Sequence, residues 1–96
     1  MQKKIKGIIA TRQIFIDGKE ILPGPSQKVY NHSPDGFMWG YGGSGPAQLA
    51  LAILLEVTSK AEALHYYQDF KWQIVSKWPQ DDFEDTIDIE AWIMAQ

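Results

Sequence analysis

The sequence predicts one α+β domain spanning residues 1–96. A small antiparallel sheet of three or four strands in the N-terminal half packs against two main helices and a short C-terminal helix. Three patterns carry this reading. Residues 5–16 are dense in β-branched side chains and poor in helix formers. Ala47 to Val57 is apolar nearly all round, as a buried central helix requires. From Leu64 onward, Tyr67, Phe70, Ile74 and Trp78 recur every three or four positions, one buried helical stripe.

Taken in order, Ile5, Ile8 and Ile9 belong to a first strand. Asp17-Gly18 is a tight-turn pair and joins Gln13–Ile16 to Lys19–Leu22 as a hairpin. Pro23-Gly24-Pro25 ends the second arm, because proline cannot donate to a ladder. Gln27–Asn31 reads as a third strand, followed by turn chemistry at Ser33-Pro34-Asp35-Gly36. Phe37, Trp39 and Tyr41 alternate with Met38 and Gly40, which places three rings on one face of a fourth strand. Pro46 suits the first turn of a helix. Ser59-Lys60-Ala61-Glu62 is a capping box that opens the second helix, and Pro79 stops it. Asp85 or Thr86 caps a terminal helix carrying Ile89, Trp92 and Ile93.

Composition narrows the function classes. There is no cysteine, which excludes disulfides, thiolate zinc sites and a cysteine nucleophile. Net charge is −3 and Arg12 is the only arginine, so nucleic-acid binding by phosphate neutralisation is not expected. Lys3, Lys4, Lys6 and Arg12 lie toward one end, and Asp81, Asp82, Glu84, Asp85, Asp88 and Glu90 toward the other. This reads either as a solvated acidic face beside a basic strand or as a self-associating pair. The apolar runs are too short for a signal peptide or a membrane span, so a cytoplasmic, soluble protein is expected.

The chemistry concentrates in residues 31–55. Gly36, Gly40, Gly42, Gly43 and Gly45 fall here, and a helix follows. Glycine allows close backbone approach, and a helix N-terminus offers free N–H groups to an anion. Gly40-Tyr41-Gly42-Gly43-Ser44-Gly45 fits the letters G-x-G-x-x-G, but no second strand with an acidic end follows as a dinucleotide fold needs. The loop is either an anion nest or a device that packs the helix tightly. Ser44 is either a helix N-cap or a nucleophile whose elbow departs from G-x-S-x-G at Pro46. His32 is either a ligand contact and general base or a partner of the turn backbone. Phe37, Trp39 and Tyr41 are either a stacking surface or core. His65 and Asp69 share a helix face as a surface pair rather than metal ligands. Tyr66 and Trp72 fall off the buried stripe and form an exposed patch.

The run from Asn31 to Phe37 (NHSPDGF), then Trp39 to Leu54 (WGYGGSGPAQLALAIL), resembles domain-of-unknown-function family 6166. Phe70-Lys71-Trp72 with Val75, and the Ile89 to Trp92 segment, extend the likeness. Met38 stands where similar proteins often carry a glutamate, and the acidic C-terminal run is atypical. The resemblance implies small proteins of bacteria and of mobile elements such as phages, and it brings no reaction.

The functional expectation is a non-enzymatic module that binds an anionic, phosphate-containing small molecule, a nucleotide among the candidates. Asn31, His32, Trp39, Tyr41, Gly42, Gly43, Ser44 and Gly45 form its site, with no cofactor and no metal. One alternative is a protein-interaction factor of a phage or mobile element, for example a host-defence inhibitor, with a host protein as partner and a patch in the aromatic and acidic C-terminal half. The other is a small hydrolase using His32 with Asp35 or Ser44. A homodimer is expected to cover the sheet edges; nucleic-acid and membrane partners are not.

Overall fold

A computed structural model describes residues 1–96. Strand β1 is Gln2–Ile8, β2 is Gln13–Ile16 and β3 is Lys19–Ile21. The Asp17-Gly18 turn between β2 and β3 has positive φ at both residues, 51° and 82°, which matches the right-handed twist of the strands it joins. Asp17 is held there by the Lys4 N–H, which donates to its carboxylate at 2.9 Å.

The sheet is antiparallel with order β3-β2-β1-β4. Three of its four strands come from the N-terminal part. The fourth, β4 (Phe83–Asp88), arises from the acidic C-terminal run and pairs with β1 from Gly7↔Phe83 to Gln2↔Asp88. The charge asymmetry of the sequence is met in part across this pairing: Lys4 Nζ lies 3.4 Å from Glu84 and the N-terminal ammonium 3.3 Å from Asp88. Lys4, Lys6, Glu20 and Glu84 stand in solvent on the outer face, and Ile5, Ile14, Ile16, Ile21 and Phe83 enter the core on the inner one.

Two expected strands are absent. Gln27–Asn31 is not extended, because Gly24–Val29 forms a short helix, α1. Proline fits its first turn, and the Ser26 hydroxyl donates to the Pro23 carbonyl at 2.8 Å. Phe37–Tyr41 joins no ladder. Gly36 and Gly40 have φ of 105° and 85°, and these take the backbone out of the extended region at both ends of the aromatic alternation. Phe37 and Trp39 enter the core while Tyr41 turns outward. Trp39 meets Phe83 edge-on at 5.2 Å between centroids, and its indole N–H donates to the Asp81 carbonyl at 2.9 Å.

Helix α2 (Ser44–Val57) is buried on nearly all sides and forms the centre of a core of 19 buried residues. Helix α3 (Lys60–Gln73) starts as its capping box requires, with the Glu62 N–H donating to Ser59 Oγ at 3.1 Å. Its buried side is Ala63, Tyr67, Phe70 and Lys71; Leu64, expected in the buried stripe, is 41% exposed. The helix ends at Gln73, well before Pro79. A 3-10 turn at Val75–Lys77 then brings Trp78 to stack on Phe83 at 4.0 Å. Helix α4 (Ile89–Met94) is capped by Asp88, which accepts from the Ala91 N–H at 3.0 Å, since Asp85 and Thr86 lie inside β4.

Candidate functional site

Each glycine of the loop has a neighbour close against it. A Cβ at Gly40 would lie 2.9 Å from the Trp78 carbonyl oxygen, and one at Gly42 would lie 2.2 Å from the Trp72 ring. One at Gly43 would lie 2.3 Å from the Tyr41 ring, and one at Gly45 would lie 2.7 Å from Met38 Cβ. These glycines let side chains and backbone close over the loop as α2 enters the core.

A shallow cleft of about 340 Å³ is lined by Arg12, Ser33, Asp35, Tyr41, Ser44 and Gly45, among others. Gly43 is the N-cap of α2 and brings no capping side chain, so Ser44 is the first helical residue rather than the cap. The first helical hydrogen bond is Ala47 N–H to the Gly43 carbonyl, 3.1 Å. Pro46 has no N–H, and the amides of Ser44 and Gly45 donate to no acceptor in the chain. Two free N–H groups at the positive end of a fourteen-residue helix therefore border the cleft.

Arg12, in the turn between β1 and β2, lines the same cleft. Its φ is +58°, and no carboxylate lies within 4.0 Å of its guanidinium. Sequence reasoning placed Arg12 in the basic N-terminal cluster and not at the site. Asp35 lines the same cleft without pairing to Arg12, so the cleft carries both signs of charge.

The remaining candidates lie around this cleft or apart from it. Trp39 is fully buried and offers no stacking surface, whereas Tyr41 is 44% exposed at the cleft. Asn31 is exposed. His32 faces α3: its Nε2 is 2.8 Å from the Tyr67 hydroxyl, and its ring stacks on Tyr30 at 4.3 Å. Burial, and then the nearby Lys71 charge, hold its pKa below the ordinary 6.5. No hydrogen bond joins His32 to Asp35 or Ser44.

The residue that fixes the 30–33 segment is Gln48, visible in sequence only as a polar break in an apolar helix. It is fully buried and makes four hydrogen bonds. Its carbonyl oxygen accepts from the N–H of His32 at 2.7 Å and of Ser33 at 3.0 Å. Its amide donates to Ser26 Oγ at 2.8 Å and to the Tyr30 carbonyl at 3.1 Å. One side chain on α2 thus fixes the end of α1 and the segment that brings Ser33 to the cleft.

The protein is a small α+β domain in which four antiparallel strands back a buried helix whose N-terminus opens on a charged surface cleft. The chain belongs to the family of unknown function DUF6166, whose model matches residues 2–95. No curated protein and no solved structure matches it. No helix is long and apolar enough to cross a membrane.

Proposed function

We propose that the chain is a binding module for a small phosphate-bearing molecule seated between Arg12 and the N-terminus of α2. The observation that carries this reading is an unpaired guanidinium that lines one cleft together with the unbonded N-terminus of α2. Both donor types are suited to phosphate oxygens, and neither is engaged by the protein itself. Asp35 sharpens the ligand class. A carboxylate repels a bare dianion but accepts from hydroxyls, so a sugar phosphate or nucleotide suits the cleft better than inorganic phosphate. The exposed Tyr41 ring adds an apolar face for a base or sugar.

Thermal unfolding against inorganic phosphate, sugar phosphates and nucleotides tests this. A ligand at ~100 times its Kd raises stability by roughly 2.7 kcal/mol, several degrees for a domain of this size. The shift is expected to vanish in Arg12→Gln, a substitution at an exposed position. No shift across the panel, or an equal shift in the variant, refutes the proposal.

A further inference from the structure

A second cleft, of about 170 Å³, adjoins the one of about 340 Å³ described above. Arg12, Asp35, Gly36 and Phe37 line both, so the two form one continuous trough. Its size is that of a small-molecule site, roughly 300–1,000 Å³. Arg12 and Asp35 stand at the junction, and neither has an ionic partner. No cation of the chain lies within 4.0 Å of the Asp35 carboxylate, and no carboxylate within 4.0 Å of the guanidinium.

Three polar side chains that the first cleft lacks line the second: Thr11, Gln13 and Glu20. They form a row. The Thr11 hydroxyl donates to Gln13 Oε1 at 2.8 Å, and Gln13 Nε2 donates to Glu20 Oε2 at 3.4 Å. The second N–H of the Gln13 amide and the other Glu20 oxygen stay without a partner in the chain, a donor beside an acceptor. A hydroxyl is the ligand group that donates and accepts at once, and neighbouring hydroxyls match such a row. An ammonium suits the carboxylates but is repelled by Arg12 between the two clefts. An aromatic base gains little here, because the one ring of the second cleft, Phe37, is buried in the core. A base stacked on Tyr41 would leave this cleft empty, since Tyr41 lines only the first.

We infer that the second cleft is a hydroxyl subsite and that the ligand is a phosphate ester of a sugar or similar polyol. Its phosphate sits by Arg12 and the N-terminus of α2, and its hydroxyls run past Asp35 to Gln13 and Glu20. The inference rests on the phosphate reading above and narrows it, setting the nucleotide aside.

Isothermal titration with four esters tests it: glucose 6-phosphate, ribose 5-phosphate, AMP and cyclohexylmethyl phosphate, which keeps the ring and phosphate of the first without its hydroxyls. Glucose 6-phosphate should bind at least about tenfold more tightly than cyclohexylmethyl phosphate. AMP should bind no more tightly than ribose 5-phosphate. Thr11→Ala with Gln13→Ala should bring glucose 6-phosphate down to the level of cyclohexylmethyl phosphate and leave the affinity of the latter unchanged, which also shows that the variant is folded. Arg12→Gln should weaken all four alike. Equal affinities for the two ring esters, both lost in Arg12→Gln, overturn this inference and leave the phosphate site standing. A hydroxyl preference that survives the double substitution overturns it too, as does AMP binding about tenfold more tightly than ribose 5-phosphate. If no ester binds, the phosphate reading falls and this one with it.

Discussion

Replacing Gln48 by leucine keeps the volume of a core position while deleting four hydrogen bonds at once. At roughly 1 kcal/mol net for each bond the loss is ~4 kcal/mol. The groups left behind set the final figure. Ser26 Oγ is buried but keeps its bond to the Pro23 carbonyl, while the His32 and Ser33 amides lie where water reaches part of the gap. A loss of ~3 kcal/mol is therefore expected, a large share of the ~5–15 kcal/mol that stabilises a domain of this size. In thermal terms this is a fall of about 10–20 °C. Urea unfolding followed by tryptophan fluorescence measures it, with an unchanged slope expected if only stability has changed. A loss below ~1 kcal/mol would refute the reasoning, since it would mean that the 30–33 segment holds its place without this side chain.

Other outcomes follow from the same geometry. His32 should titrate below pH 6.5 by NMR. Unfolded imidazole takes up a proton near 6.5 that the folded site resists, so stability should be full above that pH and fall as pH drops through the window down to the folded midpoint. A midpoint at or above 6.5 would contradict the described burial. Gly7→Ala should cost about 2–3 kcal/mol, because its Cβ would sit 2.3 Å from Phe83 and 3.0 Å from Trp39, both locked in the core. Gly42→Ala should cost about 1 kcal/mol or less, because the Trp72 ring it meets is largely in solvent and free to swing; chemical denaturation showing the reverse order would sink this account. Ser59→Ala removes the α3 cap and should cost about 1 kcal/mol by the same assay.

The elements that sequence reading placed well are those whose signals are local. Asp17-Gly18 permits one kind of turn, and Ser59 with Glu62 marks a helix start from inside that helix. The errors arose where a local pattern was outweighed at a distance. Phe37, Trp39 and Tyr41 alternate as a strand does, yet Trp39 is held in the core by Phe83 and Asp81, far along the chain. The acidic 81–88 run is poor in strand formers, yet residues 83–88 pair with β1 along a continuous ladder and Phe83 enters the core. The prolines that follow β3 end that arm as expected and also open a helical turn, α1. At the site, the Gly42–Gly45 loop and the α2 N-terminus were legible. Arg12 was not, because its approach depends on the β1–β2 turn, which has no sequence neighbour near the loop. Gln48 had a readable signal, a lone amide in an apolar helix, but its partners Ser26, Tyr30, His32 and Ser33 lie far off in sequence, and the 27–31 segment was misjudged as strand.

The placement of β1 between β2 and β4 fixes an order of assembly. One flank of β1 is satisfied by a neighbour a few residues away, and the other by residues from the far part of the sequence. The entropy of closing so long a loop rises only slowly with length, so the finished sheet loses little stability by it, but non-local pairing slows folding. During synthesis, a chain that has not yet supplied Phe83–Asp88 carries β1 as a bare edge, and Phe83 is missing from its place against Trp39 and Trp78. Over that interval the lysines at positions 3, 4 and 6 repel another such edge, guarding the nascent chain against sticking to its neighbours on the same message.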